Sequence, residues 1–175
     1  MYATLRQKTR SFMPHGWLAF DLMGRNKYIE LLQEFCEAKG IEASGDLIEY
    51  GLLEVDGTLM SIEYLEERDE VRLVLPLGHA ASGDGMWVLF KLLLEANLGH
   101  TTLCWPVFSL DSQSGQPLAA YHLPLQALLD EVISLEFVIE EQMFPLLREW
   151  ECTVRAALDD HRTGGRGAVL PRFQA

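Results

Sequence analysis

One segment near the middle of the chain, residues 86–97, limits what this protein can fold into. Its sequence, MWVLFKLLLEAN, has apolar side chains at almost every position, so a helix here is apolar nearly all the way round. Lys91, Glu95 and Asn97 interrupt the run, which is also too short to cross a bilayer. We therefore expect a helix buried on more than one side, and the core of one small domain is too small to provide that cover.

The charge distribution restricts the classes of partner. The 175 residues carry 14 Lys and Arg against 26 Asp and Glu, a formal net charge of -12. This sign argues against nucleic-acid binding, because such a surface repels phosphates. Residues 1–27 carry +4 and residues 161–175 carry +3, so the segment between them carries -19. An anionic body of this kind attracts cationic segments of a partner.

The length and the cysteines indicate a single soluble domain in a reducing compartment. With 49% hydrophobic residues, 175 residues can form a core without disulfides. Cys36, Cys104 and Cys152 are odd in number and show no CxxC spacing, which favours reduced thiols in a cytoplasm. Pro14 and Asp21 interrupt the only stretch that resembles a secretory signal. We expect a cytoplasmic protein that does not enter a membrane.

The residue periodicity predicts a mixed fold. Asn26 is suited to cap a helix that runs to Lys39, with Gly40 at its C-terminal end. The period then changes from helical to alternating, and residues 47–55, 59–65 and 71–77 are predicted to form a three-stranded antiparallel meander. After the helix at residues 86–97, residues 102–110 and 118–123 are predicted to form a hairpin with a turn at residues 111–116.

A last helix is predicted from Gln126. Its apolar stripe consists of Leu128, Val132, Leu135, Ile139 and Met143. Pro145 lacks an N–H and should kink or break this helix before it resumes at residues 146–158. The prediction is an α+β fold with an antiparallel sheet in the order α-β-β-β-α-β-β-α. The domain spans residues 26–158, between a basic N-terminal extension (residues 1–25) and a basic C-terminal tail (residues 159–175).

The predicted meander has apolar residues on both faces. In its first strand Ile48, Tyr50 and Leu52 share one side, while Leu53 and Val55 share the other. Together with the apolar middle helix, this pattern favours a homodimer with a groove for a segment of a partner protein. The alternative is that the first and last helices cover all of the apolar surface within one subunit.

No motif for catalysis, a cofactor or a metal is found in the sequence. The five histidines have no paired ligand spacing, there is no glycine-rich phosphate loop, and no serine lies in a GxSxG motif. Paired acids such as Glu66 and Glu67 are typical of solvated surface charge. The sequence therefore predicts a binding protein without cofactors, and not an enzyme.

Three local sequences, in this order and spacing, resemble the Tir chaperone family, the class I chaperones of bacterial type III secretion. They are Leu93-Leu94-Glu95-Ala96-Asn97-Leu98, Phe108-Ser109-Leu110-Asp111 with Ser114-Gly115, and His122-Leu123-Pro124-Leu125. The resemblance implies a cytoplasmic bacterial homodimer with a role in virulence. It also implies that the protein binds an N-terminal segment of a secreted effector, keeps it soluble and secretion-competent, and passes it to the secretion apparatus. An alternative is a regulatory protein that sequesters a bacterial regulator in the same groove.

The resemblance also assigns residues to two surfaces. The dimer interface would consist of Trp87, Phe90, Leu94, Leu98, Trp105 and Val107. The effector groove would consist of Leu32, Phe35, Leu52, Ile62 and Tyr64. Three features depart from the family pattern, namely Pro106 inside the predicted fourth strand, Pro145 in the last helix, and the two basic ends.

Overall fold

The computed structural model describes residues 17–42, 47, 50–55, 57–78, 83, 85–98 and 104–163, with the backbone alone for residues 17–22 and 162. In chain order the elements are α1 (Trp17–Lys39), β1 (Leu52–Val55), β2 (Thr58–Leu65), β3 (Glu70–Pro76), α2 (Gly85–Ala96), β4 (Val107–Leu110), β5 (Pro117–Pro124), α3 (Leu125–Leu129), a π-helix (Phe137–Met143) and α4 (Phe144–Thr163). The predicted α+β class and the predicted order of helices and strands are confirmed.

The five strands form one antiparallel sheet in the order β1-β2-β3-β5-β4, so β1 and β4 are its edges. Tyr28 of α1 stacks on Tyr64 of β2, and Phe108 of β4 stacks on Trp150 of α4. Helices from both ends of the chain therefore cover the same face of the sheet. The central strand contributes three fully buried side chains to this core, Val71, Leu73 and Leu75. The other face of the sheet points away from this core, and we call it the open face.

The first helix begins earlier than the sequence predicted. α1 starts at Trp17, and Asn26 lies inside it instead of capping it. Residues 17–25 contain no proline, so nothing in them stops the helix from extending past Asn26. Gly24 allows this part of α1 to approach the sheet, because a Cβ at this position would collide with the Tyr64 hydroxyl. α1 and α4 run across the predicted domain boundaries at residues 25/26 and 158/159, which remain predictions.

The C-terminal end of α1 is fixed by a glycine and a lysine. Gly40 has a φ of 64° and donates to Glu37 O at 3.2 Å, and Ile41 N–H donates to Cys36 O at 2.8 Å. This is the arrangement of a Schellman motif, which confirms Gly40 as the predicted C-terminal glycine. Lys39 Nζ donates to carboxylates of Glu136 and Glu140, which attaches α1 to the π-helix. These hydrogen bonds, that of Glu136 first, raise the pKa of Lys39.

Two strands are shorter than predicted. Leu47 and Tyr50 are helical, and Gly51 N–H donates to Leu47 O at 2.8 Å, so β1 begins at Leu52 and not at Leu47. β4 begins at Val107, directly after Pro106, which therefore lies outside the strand and not within it. A proline just before the first strand residue removes no donor from the ladder. The predicted residues 48, 49, 102 and 103 lie outside the described part of the chain.

The predicted last helix is divided into two. α3 ends at Leu129, and Glu131 adopts a left-handed conformation with a φ of 55° before the chain becomes helical again. Val132 consequently points to solvent, although the sequence placed it in the apolar stripe. The other members of that stripe, Leu128, Leu135, Ile139 and Met143, are buried as predicted.

Pro145 is accommodated by a change of helical winding and not by a break. The residues before it, Phe137–Met143, form a π-helix, and α4 continues from Phe144. In a π-helix each carbonyl accepts from the residue five positions ahead. The carbonyl of Glu141 therefore does not depend on the N–H that Pro145 lacks.

Candidate interaction surfaces

One side of α2 is buried against the subunit and the other is exposed and apolar. The buried side chains are those of Leu89, Leu92, Leu93 and Ala96. The exposed side, which we call the helix stripe, consists of Trp87 (76% exposed), Phe90 (39%), Leu94 (68%) and Leu98 (70%). Large apolar side chains that are this exposed and contiguous mark an interaction surface. The subunit thus covers only half of its most apolar helix.

The helix stripe continues onto β4. Asn97, next to the end of the stripe, hydrogen-bonds to the backbone of Phe108, so Leu98 lies close to the beginning of the strand. Val107 is 54% exposed there, and Trp105 is half-buried. The structure therefore brings the six residues predicted for the dimer interface to one region. Their contact with a second copy of the chain remains a prediction.

The outer edge of β4 is occupied by a side chain of the same subunit. Asn97 Nδ2 donates to Phe108 O at 2.9 Å, and Phe108 N–H donates to Asn97 Oδ1 at 2.8 Å. Asp111 N–H donates to Gln116 O, which makes residues 111 and 116 a hydrogen-bonded pair of β4 and β5. Because hydrogen-bonded pairs alternate along the ladder, Phe108 directs its backbone groups outward. The Asn97 amide takes the place that a further strand would occupy.

The edge at β1 differs from the edge at β4 in that none of the described residues pairs with its outward-pointing backbone groups. Ile62 N–H donates to Gly51 O at 2.7 Å, which makes residues 51 and 62 a hydrogen-bonded pair. By the same alternation, Leu52 and Glu54 direct their backbone N–H and C=O groups away from β2. Leu52 is 52% exposed. This edge is suited to accept an added strand.

The open face of the sheet has an apolar half and a charged half. The strand register places Leu52, Ser61, Val74, Ala120 and Val107 in one row across all five strands. This row links the β1 edge to the region of the helix stripe.

Charged side chains lie further along the open face. Arg72 pairs with Glu63, and His122 Nδ1 lies 3.3 Å from Glu70 Oε2. Leu59, 55% exposed, belongs to the apolar half and was not identified from the sequence. The available signal was a leucine at position 59 on the side of β2 that also carries the polar Ser61 and Glu63.

The residues predicted for the effector groove do not share one surface. Leu32, Phe35 and Ile62 are buried in the core of the subunit, so a partner segment cannot reach them without repacking. Leu52 is exposed at the β1 edge. Tyr64 is half-buried, and its hydroxyl donates to Asp69 Oδ1 at 2.7 Å. Only Leu52 and Tyr64 therefore keep surface available for contact.

The described ionisable groups with shifted pKa values that lie in or against the core are tyrosines and cysteines. Burial raises the pKa of Tyr28 to about 12, and its hydroxyl donates to Ile62 O at 3.3 Å. Burial also raises the pKa of the Cys36 and Cys104 thiols. Within the described ranges no three His, Cys, Asp or Glu side chains are grouped so that they could hold a metal ion. None of the helices described there is long and apolar enough to span a membrane.

Comparison with known proteins gives one family match. Residues 30–143, more than half of the chain, match the Tir chaperone protein (CesT) family. The chain is similar to a solved HopA1–SchA chaperone–effector complex, with 20% identity over 73% of this chain and 95% of that chain and a TM-score of 0.49. It is also similar to the ExoT–SpcS complex from Pseudomonas aeruginosa, with 18% identity over 77% and 96% of the two chains and a TM-score of 0.42. No curated protein matches the chain.

Proposed function

The chain belongs to the Tir chaperone protein (CesT) family, and we propose that it is a homodimeric type III secretion chaperone of the bacterial cytoplasm. It binds the N-terminal segment of a secreted effector, keeps that segment soluble and secretion-competent, and aids its delivery to the export apparatus. This function requires binding surfaces and no catalytic group. The domain that carries it corresponds to residues 26–158.

The observation that carries the proposal is the exposed side of α2. Trp87, Leu94 and Leu98 are each more than two-thirds exposed in the subunit, although each would contribute roughly 1.5–3 kcal/mol on full burial. The same side of α2 in a second copy of the chain is equally apolar and can cover these side chains. Two-fold homodimers, in which one surface patch pairs with itself, are the commonest oligomers. Val107, beside the end of the helix stripe, extends the contact onto β4.

The effector segment is proposed to bind at the opposite edge of the sheet. An extended segment can add to β1, where it would hydrogen-bond to the outward backbone groups of Leu52 and Glu54. Its side chains on one face would then contact Leu52 and Leu59 of the open face. The net charge of -12 favours a basic segment and speeds its encounter with the chaperone.

The set of groove residues is narrower than the sequence predicted. We retain Leu52 and Tyr64 as contact residues and add Leu59. The buried residues Leu32, Phe35 and Ile62 lie within the core that supports the sheet. Their substitution is expected to lower the stability of the subunit first and effector binding only as a consequence.

The proposal is tested by co-expression with secreted effectors of the same organism. The N-terminal segments of these effectors, each fused to a tag, are co-purified with the wild-type chain and with Glu54→Pro and Glu54→Ala variants. The proline removes the outward N–H of Glu54 and leaves the pairing of β1 with β2 intact. The alanine removes the carboxylate and keeps the N–H.

We expect the wild type and Glu54→Ala to retain one or a few effector segments, and Glu54→Pro to lose most of this binding. Circular dichroism verifies that each variant is folded. Retention of effectors by Glu54→Pro would show that no strand adds to β1. Co-purification of a bacterial regulator in place of any effector would favour the alternative function, sequestration of that regulator.

A further inference from the structure

Two charged residues interrupt the exposed side of α2. Between Trp87 and Leu98 the sequence has no charges other than Lys91 and Glu95. Lys91 Nζ lies 3.7 Å from Glu95 Oε1, a long contact between partly exposed side chains that contributes little to stability. Glu95 Oε2 is buried, and none of the described residues donates a hydrogen bond to it. Buried carboxylate oxygens normally accept a hydrogen bond, and a second molecule could supply the donor for this one.

Both charges lie on one flank of the helix stripe. Trp87, Lys91 and Leu94 recur at intervals of four and three residues, which places them on one line along a helix of 3.6 residues per turn. Leu98, two residues after the end of α2, follows at the next interval of four. Glu95, one turn after Lys91, follows on the same flank, whereas Phe90 lies on the other flank. The midpoint between Lys91 and Glu95 is residue 93, close to the midpoint between Trp87 and Leu98.

This placement is self-complementary in one orientation. In a two-fold contact between antiparallel copies of α2, the flank of one copy faces the same flank of the other. The residue order of the second copy runs in reverse, so residues at equal distances on either side of the central position face each other. With the centre at residue 93, Lys91 faces Glu95 of the partner subunit, and Trp87 comes within one position of Leu98 of the partner subunit. In a parallel contact each flank would face the opposite one, so both charges would lie against apolar side chains.

We propose that Lys91 and Glu95 form reciprocal ion pairs across an antiparallel contact between the α2 helices of two copies of this chain. These pairs fix the register of the homodimer and select a second copy over chains whose charges differ at these positions. The reason is that a charge enclosed in an apolar contact without its opposite disfavours that contact. The inference rests on the proposed homodimer and specifies how its two copies recognise each other.

Charge reversal tests the proposal. Lys91→Glu places two glutamates on the flank, and Glu95→Lys places two lysines there. Each variant alone would bring like charges together twice in its homodimer, and we expect its self-association to weaken by roughly tenfold or more. An equimolar mixture of the two restores both pairs, so we expect a heterodimer. Sedimentation velocity measures the oligomeric state, and native mass spectrometry of differently tagged chains identifies the heterodimer.

Two further variants complete the design. Lys91→Glu/Glu95→Lys exchanges the charges within one chain and is expected to dimerise like the wild type. Arg148→Glu makes the same charge reversal at an exposed position of α4 and is expected to leave dimerisation unchanged. Circular dichroism verifies that each variant is folded.

The outcomes separate the ion pairs from the dimer itself. Single variants that dimerise as tightly as the wild type, or a mixture or a double variant that remains monomeric, would overturn the reciprocal pairs and leave the homodimer in place. A wild-type chain that is monomeric at every concentration would overturn the homodimer and the ion pairs together.

Discussion

The side-chain amide of Asn97 forms the two hydrogen bonds that a neighbouring strand would otherwise form with Phe108. An unprotected edge strand invites pairing with other chains, and proteins commonly cover such edges. The amide covers the edge at β4, whereas none of the described residues pairs with the outward backbone groups of β1. The sequence showed Asn97 as an interruption of an apolar run and as part of a family-like segment, but not its role, because its partner lies 11 residues away in another element.

Replacement of Asn97 tests this role at the level of one residue. Asn97→Ala leaves the N–H and C=O of Phe108 without their partner, and we expect the free energy of unfolding to fall by about 1–2 kcal/mol. Urea denaturation monitored by circular dichroism measures it. Asn26→Ala, the same substitution at an exposed position inside α1, is the control and is expected to be neutral or slightly stabilising. Equal stability of the two variants would contradict a protective role for Asn97.

At the level of elements, the region from α3 to α4 shows where periodicity stops being informative. The stripe that begins at Leu128 has helical spacing, and most of its members are buried as expected. Spacing does not detect the left-handed Glu131, however, because nothing in a glutamate indicates a positive φ. It also does not detect the π-helix, in which one residue is added per turn. The turn at Glu131 takes Val132 out of the stripe, whereas Leu135, Ile139 and Met143 remain buried.

The strained position at Glu131 gives a prediction at this level. Glycine adopts a φ of 55° without the steric penalty of a Cβ, so we expect Glu131→Gly to raise the free energy of unfolding by about 0.5–1 kcal/mol. Glu141→Gly, the same substitution in the π-helix, is expected to lower it by about 1 kcal/mol. Thermal unfolding by calorimetry compares the two variants. A loss of stability in both would indicate that Glu131 makes contacts that outweigh its strain.

The candidate surfaces were predictable from the sequence to different degrees. Composition predicted that the helix at residues 86–97 needs cover from outside the subunit, because it is apolar nearly all the way round. The individual residues of the helix stripe were assigned by the family resemblance. The resemblance assigned Leu32, Phe35 and Ile62 to a groove, but an apolar residue in a helix or a strand can belong equally to a core. Depth of burial depends on which elements pack above a face, and that is a property of the tertiary structure.

For the molecule as a whole, the arrangement of layers determines where partners can bind. The helices α1 and α4 cover one face of the sheet, and α2 lies against α4 and β4. The outer side of α2 and the β1 edge lie at opposite ends of the strand order, since α2 adjoins β4. A second subunit on α2 would therefore leave β1 accessible. The proposed dimer and the proposed effector complex are compatible on these grounds.

Two tryptophans distinguish the surface from the core of the whole molecule. Trp150 is buried and stacked on Phe108, so Trp150→Ala is expected to lower the free energy of unfolding by about 3–5 kcal/mol. Trp87 is mostly exposed in the subunit, so Trp87→Ala is expected to change the stability of the isolated subunit by no more than about 0.5 kcal/mol.

At a dimer contact the Trp87→Ala truncation is expected to weaken association by about 2 kcal/mol, roughly thirtyfold. Sedimentation equilibrium over a range of concentrations measures the association, and urea denaturation at low concentration measures the subunit. If Trp87→Ala destabilises the isolated subunit as strongly as Trp150→Ala does, the helix stripe belongs to the core and the proposed interface is wrong.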